Sequence, residues 1–205
     1  MPLVIHPRVR RSLRRIVAVG CGVFFAGTGA ALASCPPQPL STPFSQWGDT
    51  NSYFLIPGGS FEGTPDQVGW SLSNASLTAG NEPFQVGGSS DQQSLTIDAG
   101  GSATSPYFCV DNTMTDLRLF VQQVTTGSDL QVQALVQTRD GVRTMPVAHL
   151  ADGSAPAWAP TDPIAGDTAA IPNGYSVMVA LQFVVPESSG TWQLDDIYVD
   201  PWRSG

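Results

Sequence analysis

From Leu117 onward, apolar residues recur at every second position. Leu117, Leu119 and Val121 alternate with Arg118, Phe120 and Gln122. Leu130, Val132, Ala134 and Val136 alternate with Gln131, Gln133, Leu135 and Gln137. Tyr175, Val177, Val179, Leu181, Phe183 and Val185 alternate with Ser176, Met178, Ala180, Gln182 and Val184. Period two is the signature of a strand with one buried face, and no segment after residue 33 carries the 3.6-residue period of an amphipathic helix. Asp140-Gly141 lies between two such runs and predicts a hairpin. Further short strands are predicted near 53–56, 69–72, 84–86, 94–98, 106–110, 142–149 and 191–199. The longest stretch without a period, 151–173, holds Pro156, Pro160, Pro163 and Pro172 and leaves room for one short strand near Trp158. Roughly ten short strands punctuated by Gly, Pro, Asn, Asp and Ser predict an all-β, two-sheet antiparallel β-sandwich.

The first residues follow a different logic. Five of the nine arginines fall at Arg8, Arg10, Arg11, Arg14 and Arg15, an apolar run covers 16–33, and Ala31-Leu32-Ala33 offers small residues to a signal peptidase. This predicts a signal peptide over 1–33, an extended Pro-rich arm over 34–57 and a sandwich domain over 58–205, exported and with no membrane span once the leader is removed. The remainder carries four arginines, no lysine and all 17 acidic residues, a net charge of −13. Such a field excludes nucleic acid and anionic membrane surfaces as partners of the folded part. Cys35 has two readings. Leu32-Ala33-Ser34-Cys35 has the form of a bacterial lipobox, which would lipidate Cys35. Yet Cys35 and Cys109 are the only cysteines left after the leader, and in an exported chain the simpler outcome is a disulfide between them.

Two segments carry a family likeness. Pro57-Gly58-Gly59-Ser60-Phe61-Glu62-Gly63 is followed by Gly69-Trp70, and Gly190-Thr191-Trp192-Gln193-Leu194-Asp195-Asp196-Ile197-Tyr198-Val199 closes the chain. The pairing resembles the jelly-roll, galactose-binding-like carbohydrate-binding modules of secreted bacterial polysaccharide-degrading enzymes, and stand-alone exported relatives of unassigned function. It departs from them in placing Pro57-Gly58 where an Asn often opens the first motif. The resemblance implies a jelly-roll sandwich and a structural calcium held by Glu62 with Asp195 or Asp196. Neighbouring strand residues point to opposite faces, so one of the two aspartates is expected to bind.

The candidate ligand contacts are Trp158 for stacking on a sugar ring and Arg118, Gln131 and Gln133 for hydroxyls, because an amide offers a hydroxyl both a donor and an acceptor. The wider amide row includes Gln122, Gln137 and Gln182; its simpler reading is an ordinary solvated face. Trp70 and Trp192, beside a turn glycine and in a strand, are expected as core anchors. Catalytic signals are missing: after the leader there is one histidine, His149, no Gly-x-Ser-x-Gly elbow, three glutamates without pairing, and no zinc spacing. The expected function is non-catalytic binding of a neutral polysaccharide by a monomer. The alternative is a structural or interaction protein whose partner is a cell-envelope component, lipid-anchored at Cys35.

Overall fold

The alternating segments form antiparallel strands, and their pairing bends one continuous sheet into two layers. The computed structural model describes residues 35–168, 171–186 and 190–201, so the leader expected over 1–33 lies outside them. The strands are β1 (Phe54–Leu55), β2 (Ser71–Ala79), β3 (Gln93–Thr104), β4 (Phe108–Asp111), β5 (Met114–Thr125), β6 (Leu130–Thr138), β7 (Gly141–Leu150), β8 (Ala159–Pro160), β9 (Ile164–Ala165), β10 (Ser176–Val184) and β11 (Thr191–Pro201). One turn of helix, α1 (Pro65–Val68), lies between β1 and β2. The order is β7-β6-β10-β3-β11-β5-β8, with β1 on β11, β2 on β3, β4 on β10 and β9 on β5.

Strand β3 makes the bend. Residues 102–104 pair with β10, residues 95–97 pair with β11, and β2 runs along the opposite edge of both halves. The β2–β3 hairpin therefore belongs to both layers. Its corner is built from Gly100, at φ 72°, and from Asn74, at φ 45°, where the register slips between Ser73 and Ala75. The Asn74 side-chain amide donates to the Ala99 carbonyl at 2.8 Å. A Cβ on Gly101 would sit 2.4 Å from the Asn74 carbonyl oxygen, so the corner closes only over glycine.

Between the layers lies a core that includes Leu95, Ile97, Leu119, Leu130, Phe183 and Trp192, all fully buried. Trp70 and Trp192 anchor it, as their sequence context predicts. Their indole N–H groups donate to the Pro57 and Ser128 carbonyls at 3.2 and 3.0 Å, which satisfies the one polar atom each buries. This is an all-β sandwich of jelly-roll type. The Asp140-Gly141 hairpin joins β6 to β7 with Thr138 opposite Gly141. Residues 84–86, predicted as a strand, form a loop: Glu82 accepts from the Phe84 and Val86 backbone amides, and Gln85 takes φ 54°.

The Pro-rich segment is no free arm at its C-terminal end. Ser41 bridges Tyr53, β1 pairs with β11, and Phe44, Tyr53, Phe54 and Ile56 are buried. The sandwich thus incorporates residues before 58. Cys35 and Cys109 form a disulfide, which ties the start of this segment to β4.

Candidate functional site

The two layers present different outer faces. On β6, Leu130 and Val132 are buried in the core, so Gln131 and Gln133 point outward, half-buried. Antiparallel register then carries Gln133 into a row that crosses five strands: Pro146 on β7, Gln133, Gln182 on β10, Thr104 on β3 and Ser71 on β2. A second row runs His149, Gln131, Val184, Ser102 and Ser73. Gln182 donates to the Thr104 hydroxyl at 3.1 Å, which fixes its amide within the row. At strand spacing the row's four polar members, Gln133 to Ser71, span roughly 14 Å of donors and acceptors without charge. Gln182 and Gln133 were legible as strand-face amides; Thr104 and Ser71 join them only through register.

Arg118 and Trp158 stand on the other layer. Leu117, Leu119 and Val121 turn inward, so Arg118 and Phe120 turn outward, where residues 44–53 cover them. Phe44, Tyr53, Phe120 and Tyr198 make a second, aromatic core against which Trp158 packs. Arg118 is 5% exposed. Its Nε and one terminal nitrogen donate to the Thr161 carbonyl at 2.9 and 2.7 Å, and the other binds Asp49 at 2.6 Å. Its guanidinium carbon lies 4.1 Å from the Phe44 ring centroid. Expected as a hydroxyl-binding group, Arg118 is instead held on all sides by the fold, because the preceding segment folds back over β5. Burial pushes the Asp49 carboxyl up, but hydrogen bonds from Tyr53, the Asn51 amide and Arg118 outweigh it and leave it below the usual carboxylate range. Among the described residues the exposed aromatics of this layer are Trp47 and Phe84, edge to face at 4.9 Å.

The predicted calcium ligands lie beneath the loop at 80–92. In β11 the register to β5 slips between Asp195 and Tyr198, and Asp196 adopts φ 47°. The strand rule that would send the two aspartates to opposite faces is broken by this bulge, and both are fully buried. Asp195 accepts from the Glu82 and Asp196 amides at 3.2 and 2.9 Å. Burial and the charge of Asp196 raise its carboxyl to about 9. Asp196 has no hydrogen-bond partner for either oxygen. Burial, then Asp91 and Glu82, raise it to about 7. Glu62, the third predicted ligand, spends one oxygen on the Gln92 and Gln93 amides at 2.6 and 2.7 Å. Asp91 approaches instead: a Cβ on Gly87 would lie 1.9 Å from its carboxylate and 3.2 Å from that of Asp196. Among the described residues no three Asp, Glu, His or Cys side chains converge on one point. The fit to a hard cation therefore rests on two carboxylates, Asp196 and Asp91, with backbone carbonyls to complete the six to eight oxygens calcium takes. Asp91 and Glu82 carried no signal in the sequence, since the loop that brings them in has no period.

No protein-family model and no characterised protein matches the chain in sequence. In structure the chain is similar to the CBM22-1 xylan-binding domain of Paenibacillus barcinonensis Xyn10C, at 16% identity and TM-score 0.48 over 69% of this chain and 90% of that one. It is similar to TmCBM61, solved with β-1,4-galactotriose, at 9% identity and TM-score 0.43 over 71% and 95%. It is also similar to the CBM22-1-GH10 portion of Clostridium thermocellum xylanase 10B, solved with xylohexaose, at 17% identity and TM-score 0.49 over 72% of this chain and 28% of that one. These structural neighbours are, or contain, carbohydrate-binding modules with a β-sandwich fold.

Proposed function

We propose that this is an exported, non-catalytic module that binds neutral glycans on the outer face formed by β7, β6, β10, β3 and β2. The carrying observation is the uncharged row Gln133–Gln182–Thr104–Ser71, continuous across four hydrogen-bonded strands. Amides and hydroxyls match sugar hydroxyls in donor and acceptor, and a surface carrying −13 disfavours acidic polymers. The terminal motifs that resemble carbohydrate-binding modules support the same reading. Export rests on the basic and apolar segments before residue 34. Calcium, held by Asp196 and Asp91, would neutralise the buried charge beneath the 80–92 loop and fix that loop to β11.

A glycan array of neutral and acidic polymers, run at low salt with calcium present, tests the reading. Binding to a neutral polymer that Gln131→Ala with Gln133→Ala abolishes, in a variant of unchanged melting temperature, is the expected result. Loss of no binding in that variant, or a preference for acidic polymers, would overturn it.

A further inference from the structure

Between the two layers, on the inward side of β6 and β7, lies a cavity of about 430 Å³ open to solvent. Its walls are Val136, Met145, Val147, Val179, Leu181 and Val199, with Phe108 and Met114 among the further apolar contacts. The volume is nearly three times that of the ~150 Å³ core cavity known to take up benzene, and it falls within the ordinary range of small-ligand pockets. Open to solvent, the cavity's apolar walls stay hydrated unless an occupant covers them. Water is a poor occupant, because methyl-lined walls offer it few of the two to four hydrogen bonds it needs. The two methionines add side chains that can reshape around a flexible occupant.

The rim adds one charge of use. Arg143 stands on the inward-facing row of β7, opposite Val136, and reaches the cavity. Among the described residues the ion pairs are Arg118 with Asp49 and His149 with Asp129, so Arg143 comes to the rim without one. The acids at the rim, Asp116 and Asp167, belong to the opposite layer: β5, where the Thr115 hydroxyl donates to Asp116 at 3.1 Å, and the turn after β9. An apolar chamber with an unpaired guanidinium at its lip matches a hydrocarbon tail with a carboxylate head.

We propose that this cavity binds one long-chain fatty acid, its tail between the layers and its carboxylate on Arg143. The site is separate from the amide row. Gln131 and Gln133 face outward from β6 where Ala134 and Val136 face in, so the two readings stand or fall independently.

Isothermal titration of the folded chain with dodecanoate and with its methyl ester, both below their micellar concentrations, tests the proposal. One-to-one binding of dodecanoate is expected, with the ester about tenfold weaker for want of the charge-assisted hydrogen bonds. Arg143→Gln should bring the acid down to the level of the ester and leave the ester unchanged. Val136→Trp should abolish both while keeping the wild-type melting temperature or raising it, and Ala134→Phe fills the same space should the tryptophan prevent folding. Gln131→Ala with Gln133→Ala should leave dodecanoate binding intact. Absence of binding, binding that survives the filled cavity, or equal binding of acid and ester would overturn the proposal. So would a dimer of this chain that Val136→Trp dissolves, since a second copy would then be the occupant.

Discussion

Arg118 shows how one side chain changes role when the chain folds back upon it. In an isolated strand it would be a solvent-facing cation opposite a buried leucine row. Under Phe44 and Asp49 it becomes the centre of a buried polar network with Thr161. Removing one member of such a pair leaves the other without its partner in a dry site. Arg118→Ala should lower unfolding stability by about 3 kcal/mol, read by denaturant titration, and leave glycan affinity unchanged. Asp200 gives the residue scale a pH dependence. It is buried, one carboxylate oxygen has no partner, and Asp116 stands opposite it on β5. Burial, then Asp116 and Asp49, raise its carboxyl to about 6 from 3.8. The unfolded chain gives up this proton first, so the group contributes stability below pH 4 that is lost as pH rises through 6. Asp200→Asn should flatten the fall in melting temperature between pH 4 and 6, by on the order of 1 kcal/mol across the window. An unchanged slope would remove Asp200 from the account.

At the scale of elements, the loop at 80–92 and strand β11 carry the sharpest test. The calcium proposed at Asp196 and Asp91 would bind only the folded arrangement, so it should stabilise by mass action, about 2.7 kcal/mol at a hundredfold excess over Kd. Melting temperature should rise with calcium, fall with chelator, and cease to respond in Asp196→Asn. Gly87→Ala should behave similarly, since its Cβ would collide with the Asp91 carboxylate. The strands themselves were largely legible. Alternation located β5, β6 and β10 because each has one face in the core, and Asp140-Gly141 located the hairpin because its turn requires a positive φ, which Gly141 takes at 124°. The failures share a cause. The strand predicted at 84–86 dissolves because Glu82 caps those amides from within the loop, and the expected split of Asp195 from Asp196 fails at a bulge. The first turns on a side chain that caps amides two and four residues away, the second on one extra residue in a ladder, and period two encodes neither. Site residues suffered in the same way. Gln131 and Gln133 hold the outward face their alternation predicts, whereas the burial of Arg118 depends on residues 44–49, some seventy positions earlier.

For the whole molecule, the Cys35–Cys109 disulfide closes a loop across 74 positions of sequence. In the chain-entropy account such a closure contributes about 4 kcal/mol by restricting the unfolded ensemble. Reduction should therefore lower the denaturation midpoint with little change in the circular dichroism of the folded state, and Cys35→Ser with Cys109→Ser should match the reduced protein. The placement of β11 has a consequence of another kind. It lies against β1, β3 and β5 at once, although it is the last of the described strands in the order of synthesis. A ribosome delivers β1, β3 and β5 long before residues 191–201 exist, so each waits with open backbone edges for a strand not yet made. Until residues 191–201 emerge, the strand that joins β1, β3 and β5 is missing from the nascent sandwich.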